Sequence, residues 1–223
     1  GIGQLPTGDK DPFALRRHAL GVTRMLIERQ LALDTDWLLQ QAFAAFGPQH
    51  GQAQAELAQF VRERLVGYLR ELGYGAQEID AVLELRPQRW AELPARLAAL
   101  RQFAALPEAG ALAAANKRVA NILKKSDGAG SEPVRAALFA ETAEAALHEA
   151  LAQVAPRADA AFGAGDLAGS LCALAALKAP VDAFFDQVMV NAEDAKLRAN
   201  RLALLGQLHA AMNRVADLSK LAA

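Results

Sequence analysis

Apolar residues recur along this chain at the three-to-four-residue spacing that places them on one face of an α-helix. Residues 52–72, for example, carry an apolar stripe that includes Leu57, Phe60, Leu65 and Leu69. Glycine and proline interrupt the pattern at intervals, as they do between helices. No segment shows a convincing alternation of apolar and polar residues, which a half-buried strand requires. The pattern therefore predicts an all-α fold made of two helical-bundle subdomains.

The composition favours helices that pack closely together. Hydrophobic residues make up 53% of the 223-residue chain, and aromatic residues make up 6%. Many of the hydrophobic residues are alanine. Alanine is the best helix former and buries little area, so helices rich in it can approach one another closely. The scarcity of aromatic and β-branched residues argues against a sheet.

Other features of the sequence are typical of a cytoplasmic protein that does not contact a membrane. No uninterrupted apolar run reaches the roughly 18 residues of a membrane span, and the first residues do not resemble a signal peptide. Cys172 is the single cysteine, which excludes a disulfide within the chain and a cysteine-based metal site. Because Cys172 lies in a segment rich in alanine and leucine, we expect a buried structural thiol.

The positions of glycine, proline and breaks in the helical pattern suggest two helical domains after a short leading segment. Residues 1–10 are rich in glycine and proline and are predicted to be a linker or the tail of an upstream domain. Residues 11–100 are predicted to form a first helical domain and residues 101–223 a second. A hinge near their boundary would let the second domain move onto a partner.

Capping residues and prolines predict where individual helices begin and end. Asp11 and Asp34 are predicted to cap the first two helices. A helix is predicted over residues 134–154, and Pro156 is expected to begin a new, short helix. The last helix is predicted to run through Leu218.

No arrangement of residues in the sequence fits catalysis or metal binding. The glycines at positions 163 and 165 are not followed by the Lys and Ser or Thr of a phosphate-binding loop. The adjacent acids Glu193 and Asp194 are expected to cap a helix rather than to share a proton. The histidines are scattered without the spacing of metal ligands; they are His18, His50, His148 and His209. We therefore expect a chain that binds rather than catalyses, with no catalytic and no metal site.

The formal net charge is -1, so a surface for nucleic acid must arise from local clustering of cations. One such cluster lies in a predicted helix and consists of Lys117, Arg118, Asn121, Lys124 and Lys125. At 100° per residue, these polar side chains fall opposite or beside an apolar face formed by Val119, Ile122 and Leu123. A solvated helix face and an RNA-binding surface are both consistent with this pattern.

A second candidate stretch follows later in the chain, where an apolar helix, an acidic break and a basic helix succeed one another. Phe184 and Phe185 have the spacing of core residues, and base stacking is the alternative for one that is partly exposed. Asn191 could read a base edge. Arg198 and Arg201 lie three residues apart, so they share one side of the basic helix. Their guanidinium groups could bind RNA or pair with acidic residues of the same helix.

Five ordered blocks of sequence carry a resemblance to a known family. They are DPFALRR at residues 11–17, LRELGY at 69–74, IDAVLELRP at 79–87, AAANKRVANILKK at 113–125 and DAFFDQVMVNAEDAKLRANRLALL at 182–205. Together they resemble the C-terminal portion of the β-subunit of bacterial glycyl-tRNA synthetases of the α2β2 type. The second half is similar to the DALR anticodon-binding domain, an all-α fold shared with arginyl-tRNA synthetases. Residues 1–10 resemble the end of an HD-type helical domain.

This resemblance implies a tRNA-binding module without a catalytic site of its own. In this family the aminoacylation site belongs to the α-subunit, and the assembled enzyme uses ATP and Mg²⁺, so no cofactor is expected in this portion. The implied partners are the anticodon arm of glycine tRNA, the α-subunit and the upstream domains of the β-subunit, but neither DNA nor a membrane.

The resemblance also favours RNA binding for the basic cluster, because single-stranded RNA is held through its phosphates and read at its base edges. The candidate RNA-binding residues are Lys117, Arg118, Asn121, Lys124, Lys125, Asn191, Arg198, Arg201, Arg16 and Arg17. The alternative function is a helical protein–protein interaction scaffold that does not bind RNA. An independent enzyme is a third hypothesis, which the absence of a catalytic group set argues against.

Overall fold

The computed structural model describes residues 10–11, 13–46, 53–126 and 133–222, and these residues form helices connected by short loops. Within the described ranges there is no β-strand, and extended pairing is limited to isolated bridges such as that between Asp34 and Arg89. The prediction of an all-α fold is therefore confirmed.

Contacts between residues divide the chain into two compact units. The first unit contains residues 1–79 and 86–97, and the second contains residues 80–85 and 98–223. The division of the chain into functional domains at residue 100 stays a prediction, because a compact unit defined by contacts is not a functional domain.

The first unit is built mainly on the packing of its first and third helices. Its helices are α1 (Leu15–Glu28), α2 (Thr35–Phe46) and α3 (Gln54–Glu71), with a 3-10 turn at Trp90–Glu92; α4 (Ala76–Glu84) and α5 (Leu93–Ala104) each contribute residues to both units. Leu26 and Ile27 of α1 and Leu65 and Leu69 of α3 are buried. Leu65 and Leu69 belong to the apolar stripe that the sequence predicted, whereas Leu57 of the same stripe is exposed and Phe60 is half buried.

The carboxylates predicted as caps bond to the first turns of the first two helices, although the N-cap position of α1 is Ala14 and not Asp11. The Asp11 carboxylate accepts hydrogen bonds from the backbone N–H groups of Leu15 and Arg16 at 2.8 and 3.0 Å. The Asp34 carboxylate accepts one from the Trp37 N–H at 2.9 Å. Each carboxylate therefore satisfies N–H groups that have no partner within the first turn of a helix. Pro12, which belongs to the predicted start of α1, lies outside the described residues.

The second unit is a bundle of helices of different lengths. Its elements are α6 (Ala109–Lys124), a 3-10 turn (Ala136–Leu138), α7 (Thr142–Gly163), α8 (Leu167–Ala173), a 3-10 turn (Leu174–Leu177), α9 (Lys178–Gln187), α10 (Ala195–Met212) and a 3-10 turn (Leu218–Leu221). The fully buried side chains of its core include Leu147 of α7, Phe184 of α9, and Leu204 and Leu208 of α10. The helices α7, α9 and α10 therefore all contribute side chains to the core of this bundle.

The predicted break at Pro156 is wrong, because α7 runs without interruption through this proline. Proline cannot donate the backbone hydrogen bond of a helix interior, and its ring strains the preceding turn. Leu151, Val154 and Ala158 nevertheless form one buried face on both sides of Pro156. Burial of this continuous apolar face outweighs the lost hydrogen bond.

The start of α7 also differs from the prediction of a helix over residues 134–154. The helix begins at Thr142, and a capping box precedes it, in which Glu141 and Glu144 accept each other's backbone N–H groups. This box fixes the start of the helix at Thr142, so Leu138 and Phe139 lie before it and are half buried.

The last helix ends at Met212 and not at Leu218, because an asparagine caps it. Asn213 donates from its side-chain nitrogen to the His209 carbonyl at 2.7 Å, and its side-chain oxygen accepts from the Leu218 N–H at 3.3 Å. These bonds replace helical hydrogen bonds at the end of α10 and turn the chain into the final 3-10 segment.

A buried ion pair connects α7 to α10. The Glu144 carboxylate receives hydrogen bonds from Arg201 Nε at 3.0 Å and Nη2 at 3.2 Å. The same carboxylate accepts the backbone N–H groups of Ala140 and Glu141, and Arg201 Nη1 donates to the Met189 carbonyl at 2.7 Å. The side chains of Glu144 and Arg201 are 0% and 5% exposed. Both charges are therefore fully paired inside the bundle, as buried charges must be.

One stretch of the described residues, Leu167–Gln187, has the length and mean hydropathy of a helix that could cross a membrane. Buried helices in the cores of soluble bundles pass the same test, and here the apolar side chains of Leu171, Leu174 and Leu177 are buried within the second unit. Cys172, which lies in this stretch, is exposed. The prediction of a buried thiol is wrong because Cys172 faces away from the side of α8 that Ser170 and Leu171 bury.

Removing Glu144 should destabilise the protein strongly. Glu144→Ala leaves the buried guanidinium of Arg201 without a counter-charge, and we expect a loss of about 3–5 kcal/mol in the free energy of unfolding. The matched control is Glu149→Ala, because Glu149 is exposed on the same helix and should change stability by less than about 0.5 kcal/mol. Urea denaturation of both variants measures the difference, and equal stabilities would contradict a structural role for the pair.

Glu144 should also make stability depend on pH in acid. Burial raises the pKa of the Glu144 carboxyl, but hydrogen bonds from Arg201 and from two backbone N–H groups outweigh burial and hold the pKa below 4.5. The unfolded chain therefore binds the proton first, and the stabilisation is lost as pH falls below 4.5 toward the folded-state pKa. The free energy of unfolding should fall more steeply with decreasing pH in the wild type than in Glu144→Gln, by up to about 1.4 kcal/mol per pH unit. Equal slopes would show that the pKa of Glu144 is not depressed.

Candidate nucleic-acid interface

The structure brings five of the predicted RNA-binding residues together on one exposed side of α6, which we call the basic face. It consists of Lys117, Arg118, Asn121, Lys124 and Lys125, all of which are exposed. The opposite side of the helix buries Leu112, Ala113, Asn116 and Val119. The basic face therefore presents four cationic side chains and one amide to solvent with no acidic residue among them.

The last two cations of the basic face lie where the helix itself attracts positive charge. Lys124 ends α6, and Lys125 is its C-terminal cap residue. The carbonyl groups at the end of a helix carry a partial negative charge that favours cations. This interaction accounts for part of the preference for lysine here and applies with or without a bound ligand.

A buried asparagine fixes the direction in which the basic face points. Asn116 donates from Nδ2 to Asn213 Oδ1 at 2.9 Å, and Asn213 Nδ2 donates back to Asn116 Oδ1 at 3.2 Å. Because Asn116 is fully buried, this reciprocal amide pair holds α6 in one rotation against the end of α10. Sequence reasoning missed Asn116; the available signal was a polar residue at the spacing of the buried Leu112 and Val119.

Two residues of the basic face also contact neighbouring segments. Lys117 Nζ donates to the Ala222 carbonyl at 3.4 Å. The Arg118 guanidinium lies over the ring of Phe185, 4.1 Å from the ring centre. Phe185 is half buried and makes an edge contact with the buried Phe184, with ring centres 5.6 Å apart. Phe184 is therefore a core residue, as its spacing predicted, whereas Phe185 is partly exposed, and a stacking role for Phe185 stays a prediction.

Arg201 and Arg198 do not form the exposed arginine pair that the sequence predicted. Arg201 is buried and bonded to Glu144, so its guanidinium cannot reach a bound RNA. Arg198 is half buried and donates from Nη1 to the carbonyl of Ala192 at 2.7 Å. The three-residue spacing predicted a shared side of the helix, but α10 buries residues on several sides of its middle. We therefore exclude Arg201 as an RNA contact.

The segment before α10 contains one exposed candidate for an RNA contact and the residue that caps α10. Asn191 is exposed in the loop between α9 and α10. The Asp194 carboxylate accepts the backbone N–H groups of Leu197 and Lys196 at 3.0 and 2.7 Å, which starts α10 as predicted. These two hydrogen bonds lower the pKa of the Asp194 carboxyl, and the bond from Leu197 has the larger effect.

Arg16 and Arg17 belong to the first unit, on the first turn of α1. Arg17 is exposed and Arg16 is half buried. Arg24, on the same helix, is bonded to Glu28 through a 2.9 Å hydrogen bond, so its charge is already compensated. The exposed cation of this helix that could contact an RNA backbone is therefore Arg17, with Arg16 beside it in sequence.

The titratable residues of the described chain do not assemble a reaction centre. The described residues contain no group of three or more His, Cys, Asp or Glu side chains that could hold a metal ion. His148 packs edge-on against Phe139 at 5.5 Å. Burial lowers the pKa of His209 and outweighs the opposite effect of Asp217. His50 lies outside the described residues.

Two family models match the chain, one in each half. A model described as the glycyl-tRNA synthetase beta subunit matches residues 1–84. A model described as the DALR anticodon binding domain matches residues 112–221, and this range contains the whole basic face.

Curated relatives match the whole chain at high identity. The chain is 65% identical to the glycine–tRNA ligase beta subunit of Dechloromonas aromatica, 64% to that of Leptothrix cholodnii and 62% to that of Delftia acidovorans. Each match covers 100% of this chain and 31–32% of the relative. The chain therefore spans about a third of the length of the curated relatives that it matches.

Proposed function

This chain belongs to the glycyl-tRNA synthetase β-subunit family, and we propose that it is the tRNA-binding, C-terminal portion of such a subunit. The observation that carries this proposal is the basic face of α6, which lies inside the segment that matches an anticodon-binding domain. In this proposal, the second unit recognises the anticodon region of glycine tRNA and so supports ATP-dependent aminoacylation by the enzyme.

The chemistry of the basic face fits a single-stranded RNA loop. Lysine and arginine neutralise phosphates, while an amide such as that of Asn121 can donate to and accept from a base edge. Because the chain has a net charge of -1, a cluster of four cations with no acidic residue among them is a local feature and not a consequence of composition. Asn191 and Arg198 are secondary candidates for base contacts, and Arg16 and Arg17 for contacts with the tRNA backbone.

The rest of the reaction is assigned to other parts of the enzyme. We propose that glycine activation, with ATP and Mg²⁺, takes place on an α-subunit, because we find no set of catalytic groups in the part of the chain described by the structure. The further partners in this proposal are that α-subunit and the upstream domains of the β-subunit, and the location is the cytoplasm, where translation enzymes act. DNA and membranes are not among the proposed partners.

A helical protein-interaction scaffold without RNA binding is not favoured. Such a scaffold gives no reason for an exposed helix face that carries four cations and no acidic residue among its members. Near-neutral charge and abundant alanine are compatible with either function, so they do not decide between the two.

The lysines of the basic face should determine how binding depends on salt. Replacing Lys117, Lys124 and Lys125 by Ala should weaken binding to glycine tRNA and reduce the slope of log affinity against log salt by about 2–3, since each lost phosphate contact removes about 0.7–0.9. Filter binding at several salt concentrations measures both quantities. The control replaces Arg29, Arg70 and Arg157, exposed cations elsewhere, by Ala. An equal loss in both variants would remove the basic face from the proposed interface.

Binding should respond to the anticodon more than to the acceptor stem. A base substitution in the anticodon loop removes base-edge or stacking contacts that we expect to contribute about 1–3 kcal/mol, whereas substitutions in the acceptor stem should leave the affinity of this chain nearly unchanged. Competition titrations with variant glycine tRNAs measure the two effects. A stronger effect of acceptor-stem substitutions would assign the chain to a different part of the tRNA.

A further inference from the structure

The contact between Arg118 and Phe185 is closer than three further arginine–ring contacts among the described residues. Its guanidinium lies 4.1 Å from the ring centre, compared with 4.9 Å for Arg214 over Phe162 and 5.7 Å for Arg24 over Tyr68. It is therefore close enough for the planar guanidinium to lie against the ring face.

The electrostatic surroundings of Arg118 differ as well. Arg24 is paired with Glu28 at 2.9 Å, and Arg214 is paired with Asp159 at 3.4 Å. Arg64, which lies 5.7 Å from the Phe60 ring, has Glu63 at 3.8 Å. Within the described part of the chain, Arg118 has no carboxylate partner, so its charge is held in place by a ring and compensated by no acid.

The ring beneath Arg118 is itself anchored. Phe185 lies on α9 and makes an edge contact with Phe184, which is 0% exposed. The guanidinium is exposed on α6, so the pair bridges two helices of the same bundle. A side chain that loses its freedom in the unbound protein binds a ligand at a smaller entropic cost.

We infer that the outward side of the Arg118 guanidinium is a stacking platform for one unpaired base of the RNA loop. This inference rests on the proposed function and assigns one contact within it. A guanidinium is planar and weakly hydrated, so it stacks on π-systems, and every base offers a π-face. Asn121 lies one helical turn further along the same face, where its amide can reach the edge of a stacked base.

Base contacts and phosphate contacts would then lie at different positions along α6. Arg118 and Asn121 would hold a base, and Lys124 and Lys125, one turn further on, would hold the phosphates next to it. The charge of Arg118 contributes to affinity in this arrangement, but its planar shape contributes the stacking that a lysine cannot supply.

The test uses the 223-residue chain and a hairpin RNA that carries the anticodon loop of a glycine tRNA. The fluorescent base 2-aminopurine replaces one loop base at a time, because its emission is quenched when it stacks. Arg118→Lys keeps the charge and removes the planar group, while Phe185→Leu keeps an apolar side chain against Phe184 and removes the ring. Arg214→Lys is the matched control, since Arg214 lies over a ring but is paired with an acid. Circular dichroism and urea midpoints establish that all variants are folded.

The platform predicts quenching at one loop position in the wild type and its loss in Arg118→Lys. The affinity of Arg118→Lys should fall about tenfold, in the range of base stacking, with an unchanged salt slope because the charge is retained. Phe185→Leu should weaken binding in the same direction, and Arg214→Lys should bind like the wild type.

The outcomes separate the inference from the proposed function. If the wild type binds the hairpin but no loop position is quenched, or Arg118→Lys binds and quenches like the wild type, the platform is wrong and RNA binding stands. If the wild type does not bind the hairpin at all, the proposed function fails and the platform fails with it.

Discussion

The ion pair between Glu144 and Arg201 determines the arrangement of the second unit. Two buried charges are tolerated when they are paired and hydrogen-bonded, and here each group has partners on more than one segment. The carboxylate belongs to the capping box that starts α7, and the guanidinium holds the Met189 carbonyl of the loop before α10. One polar network thus fixes a helix start, a helix middle and a loop relative to one another.

A consequence of this network is that the polar residues of α10 are used inside the fold. Asn200 donates to and accepts from the backbone of Arg135, and Arg201 is buried against Glu144. The cations of α6 are exposed instead, because the amide pair of Asn116 and Asn213 turns the polar side of α6 outward. Basic residues with similar sequence surroundings therefore have different roles: one stabilises the bundle, and the others form the candidate interface.

The helices were predictable where local chemistry decides them. Asp11, Asp34 and Asp194 cap helices because their carboxylates accept N–H groups a few residues away, a relation that sequence spacing already contains. Pro156 was misread because its local cost is offset by the burial of Leu151 and Val154 through contacts between distant segments. The candidate site was predictable to the same degree: helical periodicity grouped the basic face of α6, but it could not show which arginine of α10 is buried.

The sequence alone determined the helical class of this protein, most helix starts, the family to which it belongs, and the clustering of cations on α6. All of these follow from spacing within about two turns of helix or from similarity along the chain. The tertiary structure alone decided that Arg201 pairs with Glu144, that Asn116 orients the basic face, and that Arg118 rests on Phe185. Arg201 and Glu144 lie 57 positions apart in the sequence, and Asn116 and its partner Asn213 lie 97 positions apart. Partners so distant are chosen by the packing of whole helices, which no local pattern specifies.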